Sequence, residues 1–323
     1  YDTRLSHVSP IDDWHKESGR VYRIIPQDSR VVYDQGDLHA LPSEQLMERF
    51  SHPNKWVRQR AALELGWRGD HSVADHLVRL VDDSGSLESL WALHGMGELS
   101  IDRAVGWFEH DDPHIRRWVV RLLGDRRQGH PQMAALAAVE QDVQVRSQLA
   151  STAKRLPAST AMPIIAALLT HEEDVTDPQM PLMVWWALEG HAESWPEVRS
   201  LFVDPKTWRL PLVKTAITSR LMQRYASAGS PDDLQRCAEL LQLAPDQPTR
   251  ELLMVGLNRA FQGRSLPTLP QDLALALDEY QSTLGDSGLV LGLRQGTPAG
   301  VDKAIAALAS GSTDLGIRLE LGK

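Results

Sequence analysis

The sequence lacks most features that assign an enzymatic or membrane function. Cys237 is its one cysteine in 323 residues, which excludes an internal disulfide and any two-cysteine haem or zinc motif within this segment. No apolar run approaches the roughly 20 residues of a membrane-spanning helix. No Gly-x-Ser-x-Gly element or Cys–His pairing suggests a catalytic nucleophile. We therefore expect no catalytic and no cofactor-binding residue in this segment.

Metal-ligand spacing is also missing among the twelve histidines. None belongs to a His-Glu-x-x-His element. His110 and His114 are four residues apart, but Pro113 between them indicates a helix start, so they do not share one face. Histidines on loops at the edge of a helical stack are the simpler interpretation, and we expect no metal site. Asp111 and Asp112 are adjacent at a predicted turn, which argues against general acid–base catalysis.

Positive charge is in deficit as well. Lys plus Arg number 34 against 43 for Asp plus Glu, a formal net charge of −9. Binding to nucleic acid depends on neutralising phosphates with positive charge, so we do not expect a nucleic-acid partner. The exception is a local cluster of arginines, which consists of Arg116, Arg117, Arg121, Arg126 and Arg127. We interpret these arginines as contacts between repeats or as rim residues.

Residues 111–125 show the strong periodicity of an amphipathic helix. Asp112 can cap a helix start, and Pro113 suits the first helical turn. Apolar residues then recur at helical spacing, at Ile115, Trp118, Val119, Leu122 and Leu123. That spacing predicts a helix with one apolar face. Gly124 stands where a C-terminal cap is expected.

A shared element recurs along the chain, in which a small polar residue precedes an arginine by four positions. Its three copies are Asn54 with Arg58, Asp112 with Arg116, and Asp142 with Arg146. This element resembles the HEAT repeat, where the arginine of one repeat bonds an acidic residue of a neighbour. We predict such a ladder here, with Asp112 and Asp142 as the expected acceptors. The alternative is that these arginines are solvated charges on amphipathic helices.

The repeat has a regular period. The second helix of each unit is predicted to end at Gly66, Gly97, Gly124, Leu156 and Gly190. From the first to the last is 124 residues in four intervals, or 31 residues each, which suits stacked helical hairpins. The predicted helix pairs span residues 43–67, 72–97, 101–124, 131–156, 160–190, 196–227, 231–262 and 270–295, with a last hairpin from Pro298. We expect an all-α fold, a right-handed α-solenoid of HEAT-like hairpins over residues 42–323.

The first 37 residues do not follow this period. Residues 19–26 form a β-rich run bounded by a turn residue and a proline, and residues 1–8 could supply a second short strand. Two strands alone are marginal in water, so we expect a β-hairpin remnant of a larger sheet. Because Tyr1 is not an initiator methionine, we also expect this chain to be a piece of a longer protein.

An ordered set of motifs points to one family. The motifs lie at residues 2–10, 14, 19–24, 41–43, 52–58, 90–97, 118–125 and 181–189. Together they resemble the large secreted proteins that place a sorbosone/glucose-dehydrogenase-type β-propeller before HEAT repeats and a haem-binding Cys-x-x-Cys-His module, a cytochrome c domain. On this resemblance, residues 1–37 are the remnant of the closing propeller blade.

The resemblance also implies a setting for the chain. It implies a periplasmic or secreted location and a parent protein that is a sugar or alcohol dehydrogenase. Haem c, and a quinone or metal, would belong to parts of that parent outside this segment. The propeller body and the Cys-x-x-Cys-His motif are absent here, so we expect the redox chemistry to lie elsewhere. The implied partners are the propeller and cytochrome domains of the same protein, or another protein.

A run of apolar residues at 183–188 contains consecutive indoles, Trp185 and Trp186. A helix that is apolar on most of its circumference is either buried or presents one face to a partner. Successive residues on a helix diverge by about 100°, so we expect one indole to pack between helices. The other would lie near Glu189 and offer a partner surface, because Trp is enriched at binding hot spots.

From these observations we expect a non-catalytic scaffold, a protein-interaction arm of a larger dehydrogenase-like protein. Two alternatives stay open. The chain could be part of a sugar or alcohol dehydrogenase whose active site lies in an upstream propeller. It could also be a HEAT-like DNA glycosylase, although that function needs a strongly basic concave face and the net charge is −9.

Overall fold

The structure is a computed structural model, and it describes residues 37–262, 268–283, 293, 296, 298–310, 313 and 315–322. The chain divides into two compact units, Tyr1–Ala40 and Leu41–Lys323. The described part of the first unit, residues 37–40, holds a short 3-10 helix at Leu38–Ala40. The strands predicted at residues 1–8 and 19–26 lie outside the described residues.

The described part of the second unit is all-helical. Its seventeen α-helices are α1 Ser43–Glu48, α2 Lys55–Arg68, α3 Ala74–Ser84, α4 Leu87–Met96, α5 Ile101–Gly106, α6 Pro113–Asp125, α7 Gln132–Val139, α8 Val143–Ala153, α9 Ala158–Leu168, α10 Met180–Glu189, α11 Trp195–Leu201, α12 Thr218–Ala228, α13 Pro231–Leu243, α14 Gln247–Ala260, α15 Gln271–Thr283, α16 Pro298–Ala309 and α17 Leu315–Leu321. The residues described include no strand. The expectation of an all-α fold is therefore confirmed.

The predicted helix pairs agree with these bounds. The seven predicted pairs from residue 43 to residue 262 each match two consecutive helices, with ends that differ by at most three residues. The agreement follows from apolar residues at a 3.6-residue period and from clear start signals. For the pair predicted at 270–295, α15 provides the first helix, and most of the remainder lies outside the described residues.

The start of α1 has no side-chain cap. Pro42 occupies the cap position, and Ser43 is the first residue of the helix. The Ser43 hydroxyl donates to Asp70 Oδ2 at 2.6 Å, and Ser43 is buried. The bond ties the start of α1 to the turn that follows α2.

One predicted helix end is wrong. Gly124 does not cap α6, because the helix continues through Asp125 and Arg126 ends it. Arg127, with φ of 55°, is the residue in the left-handed region there. Gly124 allows close packing instead: an added Cβ would lie 2.6 Å from the hydroxyl of Thr152 on α8. A glycine in the last turn of a helix can therefore signal a close helix contact as well as a helix end.

Helices two apart in the chain pack against one another. A first row runs α2, α4, α6, α8 and α10, each helix in contact with the next. A second row runs α7, α9 and α11, while α12 packs on α14 and α13 on α15. A short π-helical segment, Val213–Ile217, contacts α10 and leads into α12. Each helix of these rows contributes buried side chains to the core.

The core is made mostly of aliphatic side chains, with a smaller number of aromatic rings among them. Trp208, Tyr225 and Phe202 are the largest of its fully buried side chains. Cys237 is also fully buried, and desolvation raises the pKa of its thiol to about 12. No helix in the described part of the chain is long and apolar enough to cross a membrane.

Candidate functional site

The first arginine of the predicted ladder, Arg58, joins two elements. Its Nη1 donates to the carbonyls of His52 and Pro53, at 2.9 and 3.3 Å, in the turn before its own helix. Its Nε donates to Glu88 Oε1 on α4 at 3.0 Å. Asn54 does not take part in this bridge, because its side chain caps α2 by accepting from the backbone. The arginine thus connects α2 to the next helix of the first row.

Arg116 repeats this arrangement at the start of α6. Its Nη1 donates to the carbonyls of His110 and Asp111, at 2.7 and 3.0 Å. Its Nε and Nη2 form a two-pronged contact with Glu140, each bond 2.7 Å long. The expected acceptor, Asp112, instead caps α6 by accepting from the backbone N–H of the second helical residue.

Arg146 is the most buried copy. Its Nη1 donates to the carbonyls of Glu140 and Gln141, at 3.0 and 2.8 Å. Its Nε and Nη2 both donate to the carboxylate of Asp174, which lies in the 3-10 helix after α9. Asp142, the expected acceptor, caps α8. The prediction of Asp112 and Asp142 as acceptors is therefore wrong. Each carboxylate instead accepts a backbone N–H as the N-cap of its own helix.

The electrostatics of these bridges are those of structural ion pairs. The side chains of Arg146 and Asp174 are 3% and 2% exposed, so both charges are withdrawn from water and each depends on the other. The hydrogen bonds that Arg146 donates to Asp174 raise the pKa of Arg146, and those that Arg116 donates to Glu140 raise the pKa of Arg116. The raised pKa keeps each of these two guanidinium groups charged, so both bridges act as ion pairs that stabilise the packing between elements.

Two buried histidines make further contacts between helices two apart. His171 Nε2 lies 2.7 Å from the carbonyl of Ala137 on α7, and His191 Nε2 lies 2.8 Å from that of Ala153 on α8. A carbonyl only accepts, so the ring nitrogen is the donor in both bonds. Among the residues that the structure describes, no three His, Cys, Asp or Glu side chains are grouped as metal ligands. Both histidines lie in the segments that follow α9 and α10, outside the α-helices, so their loop positions agree with the expectation; their side chains, however, are buried and do not lie at an exposed edge.

The predicted partner surface on α10 contains one buried and one exposed indole. Trp185 is 8% exposed, whereas Trp186 is 45% exposed. This difference in exposure is expected, because successive residues on a helix point about 100° apart. Glu189, one turn further on, lies 3.7 Å from Arg224 Nε of α12 in a half-exposed ion pair. Trp186 thus presents its ring to solvent beside a residue that already has a partner.

A larger aromatic surface lies at the other end of the first row. A groove of about 490 Å³ runs between α2, α4 and α6, and we call it the tryptophan groove. Its principal lining residues are Leu63 and Trp67 of α2, Trp91 of α4 and Trp118 of α6. Trp67 is 63% exposed, and Leu63 is also exposed. Exposed apolar side chains that are contiguous mark interaction sites more often than scattered ones do.

Two glycines bring the floor of the tryptophan groove close to the helix axes. An added Cβ on Gly66 of α2 would lie 3.1 Å from Gly95 Cα of α4, and one on Gly95 would lie 2.9 Å from Gly66 Cα. With no side chain at either position, the two backbones touch and leave a depression between the flanking indoles. Gly66, predicted as a helix end, is therefore a packing residue; α2 ends at Gly69, which has the left-handed φ of 64°.

The indoles of the tryptophan groove are organised by one another and by arginines. Trp91 and Trp118 meet edge to face, with ring centroids 5.0 Å apart. The guanidinium of Arg60 lies 4.7 Å from the Trp67 ring centroid, and that of Arg121 lies 4.8 Å from the Trp118 ring centroid. Cations over indole faces are mutually stabilising and hold the rings in place. The groove is an apolar surface with positive charge at two of its margins.

The tryptophan groove is not among the sites predicted from the sequence. Helical periodicity places Trp118 on the apolar face of a helix, but the exposure of each ring depends on the neighbouring helices. Comparisons with protein-family models, curated proteins and solved structures return no match for this chain.

Proposed function

We propose that residues 42–323 form an α-solenoid of HEAT type that acts as a non-catalytic scaffold and binds a partner protein. The observation that carries the binding role is the tryptophan groove. Tryptophan dominates binding hot spots because burying it removes a large apolar area from water and its indole N–H can still pair. An exposed cluster of such rings on a helical surface suits protein recognition better than catalysis.

The packing supports the solenoid part of this proposal. The principal contacts among the described elements join neighbours no more than two helices apart in the chain. In a solenoid each repeat contacts its neighbours alone, and a continuous core forms by stacking. The two rows of helices agree with that pattern.

The arginine bridges support the HEAT type in particular. Each of the three arginines, Arg58, Arg116 and Arg146, is the fourth residue of its helix. Each binds carbonyls just before that helix and a carboxylate of a later element. The resemblance to propeller–HEAT–cytochrome c proteins extends the proposal to the partners. On that basis the arm would hold a dehydrogenase propeller and a haem-binding domain of one parent protein, in the periplasm or outside the cell.

The proposal is tested with the purified chain. Proteins cross-linked to it in its native host would be identified by mass spectrometry and then purified. We expect one of them to form a stoichiometric complex by calorimetry and size-exclusion chromatography. We also expect the chain alone to show no turnover in a dye-linked sugar or alcohol dehydrogenase assay. Turnover by the chain alone, or failure of every purified candidate to form a complex, would overturn the proposal.

A further inference from the structure

The tryptophan groove has a chemistry that specifies its occupant. We propose that it binds an extended, proline-rich segment of a partner protein, with an acidic residue on each side of the apolar stretch. This inference rests on the proposed scaffold function and names the segment that the partner would supply.

The lining of the groove favours an apolar ligand. No lining residue is charged, and Gln59 is the one polar side chain among those that line it. Trp67, Trp91 and Trp118 offer aromatic surface around a floor that Gly66 and Gly95 keep open. The binding free energy at such a surface becomes more favourable in proportion to the apolar area that a ligand covers. The surface offers few hydrogen bonds to a polar ligand.

The backbone of the groove explains why the ligand should be extended and proline-rich. The three helices use their own N–H and C=O groups internally, and the described residues offer no strand edge to which a peptide could add. A ligand must therefore keep its backbone solvated while burying its side chains. The polyproline II conformation does this, because it has no internal hydrogen bonds and is already ordered before binding.

Charge at the margins of the groove specifies the residues on either side of the apolar stretch. Arg60 on α2 and Arg121 on α6 lie on the outer two of the three helices, each stacked on a groove indole. Arg121 Nε also lies 3.9 Å from Asp125 Oδ2, but Asp125 is shared with Arg155, so this group of three charges stays positive by one. A ligand carboxylate can therefore pair with either groove arginine while the cation stays on the ring. The locally positive margins contrast with the net charge of −9, so the attraction belongs to this site and not to the whole surface.

The spacing of the helices sets the length of the ligand. Adjacent packed helices lie about 8–10 Å apart, so the distance from α2 across α4 to α6 is roughly 16–20 Å. A polyproline II segment rises about 3.1 Å per residue, and roughly five to six residues cover that distance. The ligand then has two acidic residues with about four or five apolar residues between them.

Trp91 gives the groove a capacity to adjust. Its Nε1 is buried and has no hydrogen-bond partner, while the ring packs edge to face on Trp118. A buried N–H without an acceptor is unfavourable, and no hydrogen bond of its own holds the ring. A small rotation toward a peptide carbonyl would therefore form a bond and break none.

The experiment uses fluorescein-labelled peptides and fluorescence polarisation with the full chain. The probe has a core of alternating prolines and leucines between two glutamates. Its controls are the same core between two lysines, a glycine–serine core between two glutamates, and an amphipathic helical peptide of equal charge. We expect saturable binding of the probe and at least tenfold weaker binding of each control, about one factor of ten per 1.4 kcal/mol.

Matched variants locate the site. Trp67→Ala should weaken probe binding about 25-fold or more, the loss expected at a hot spot. Trp56→Ala removes an exposed indole of the same helix that does not line the groove, and it should leave binding unchanged. Arg60→Glu and Arg121→Glu should weaken binding of the glutamate-flanked probe and strengthen that of the lysine-flanked peptide. Circular dichroism and the thermal midpoint confirm that each variant is folded.

Three results would overturn the inference: equal binding to the wild type and Trp67→Ala, preference for the helical peptide, or no effect of charge reversal. The proposed scaffold function has a separate readout. A purified partner that binds the wild type and Trp67→Ala equally, while the probe does not bind, would leave the scaffold intact and reject the groove as its site.

Discussion

At the residue scale, three arginines perform the same task at different depths. The side chains of Arg58, Arg116 and Arg146 are 28%, 16% and 3% exposed. Arg58 makes one bond to its carboxylate, whereas the other two make two. Removing one member of a buried pair leaves the other charged and unsolvated, so the energetic role of the ladder should grow along the series.

We therefore predict a graded loss of stability on replacing each arginine by methionine. Arg146→Met should lower the free energy of unfolding by about 3–5 kcal/mol, because Asp174 is left buried without a counter-charge. Arg116→Met should cost roughly 2–3 kcal/mol, the range of hydrogen bonds to charged groups. Arg58→Met should cost about 1 kcal/mol, since its pair is partly solvated. Urea denaturation measures all three.

The control is Arg79→Met, on the exposed side of α3. It should change stability by no more than about 0.5 kcal/mol, as surface substitutions usually do. Equal losses for all four variants would show that the ladder adds nothing beyond ordinary surface charge.

The sequence indicates which arginines form the ladder more readily than it indicates which carboxylates they bind. The cap residues and the arginines lie four positions apart, so local spacing reveals them. The acceptors Glu88, Glu140 and Asp174 lie 30, 24 and 28 residues after their arginines. Because that interval varies and each acceptor stands in a different local context, no single pattern marks them.

At the element scale, close helix packing depends on glycines that a hydrophobic pattern does not distinguish. Gly256 of α14 faces α12, and an added Cβ would overlap the backbone carbonyl of Ser219. Gly66 and Gly95 serve the same purpose between α2 and α4. Periodicity predicts where helices lie. A glycine near a predicted helix end, however, indicates a C-terminal cap whether the residue ends the helix or lies at a close contact with another helix. Gly66 and Gly124 were misassigned for this reason.

The packing role of Gly256 gives a prediction about stability, and its control is a glycine-to-alanine substitution expected to change stability in the opposite direction. Gly256→Ala should destabilise the protein by about 1–3 kcal/mol, because a backbone carbonyl cannot move aside and overpacking outweighs the better helix propensity of alanine. Thermal or urea unfolding measures the loss.

Gly106→Ala is the same chemical change in α5, where no atom lies within 4 Å of the added Cβ. It should stabilise by up to about 1 kcal/mol, since the propensity gain meets no clash. If both variants changed stability in the same direction, the close approach of α12 and α14 would not be the controlling factor.

At the scale of the whole molecule, the principal contacts among the described elements join neighbours in the chain. With the principal packing limited to elements no more than two helices apart, a disturbance in one place has few direct routes to a distant one. Stability in such an arrangement is close to a sum of local and nearest-neighbour contributions. Local opening should therefore stay local.

Hydrogen exchange with mass spectrometry tests this expectation. Gly256→Ala should raise amide exchange in α12 and α14 and leave α2, α4 and α6 at wild-type rates. The physical reason is that the clash weakens one interface, and the principal contacts of α14 are with α12 and α13 and not with the first row. A uniform rise along the chain would indicate a single cooperative unit and contradict the nearest-neighbour description.

The class of the fold could be predicted from the sequence, but the candidate site could not. Repeated apolar periodicity and capping residues are local signals, and they were enough to place the helices. The tryptophan groove results from Trp67, Trp91 and Trp118, which stand on three helices and are more than 20 residues apart in sequence. These rings come together because of how the helices pack, above all because Gly66 faces Gly95. No local sequence pattern indicates that packing.

The burial of Cys237 makes this protein convenient for site-specific labelling. A thiol reacts as its thiolate, and a pKa of about 12 together with full burial leaves almost none available at neutral pH. Because Cys237 is the one cysteine of the chain, a pair of cysteines introduced on exposed helix faces would take up spin labels or dyes without background. Distances measured between such labels would give the pitch and curvature of the helical rows directly in solution.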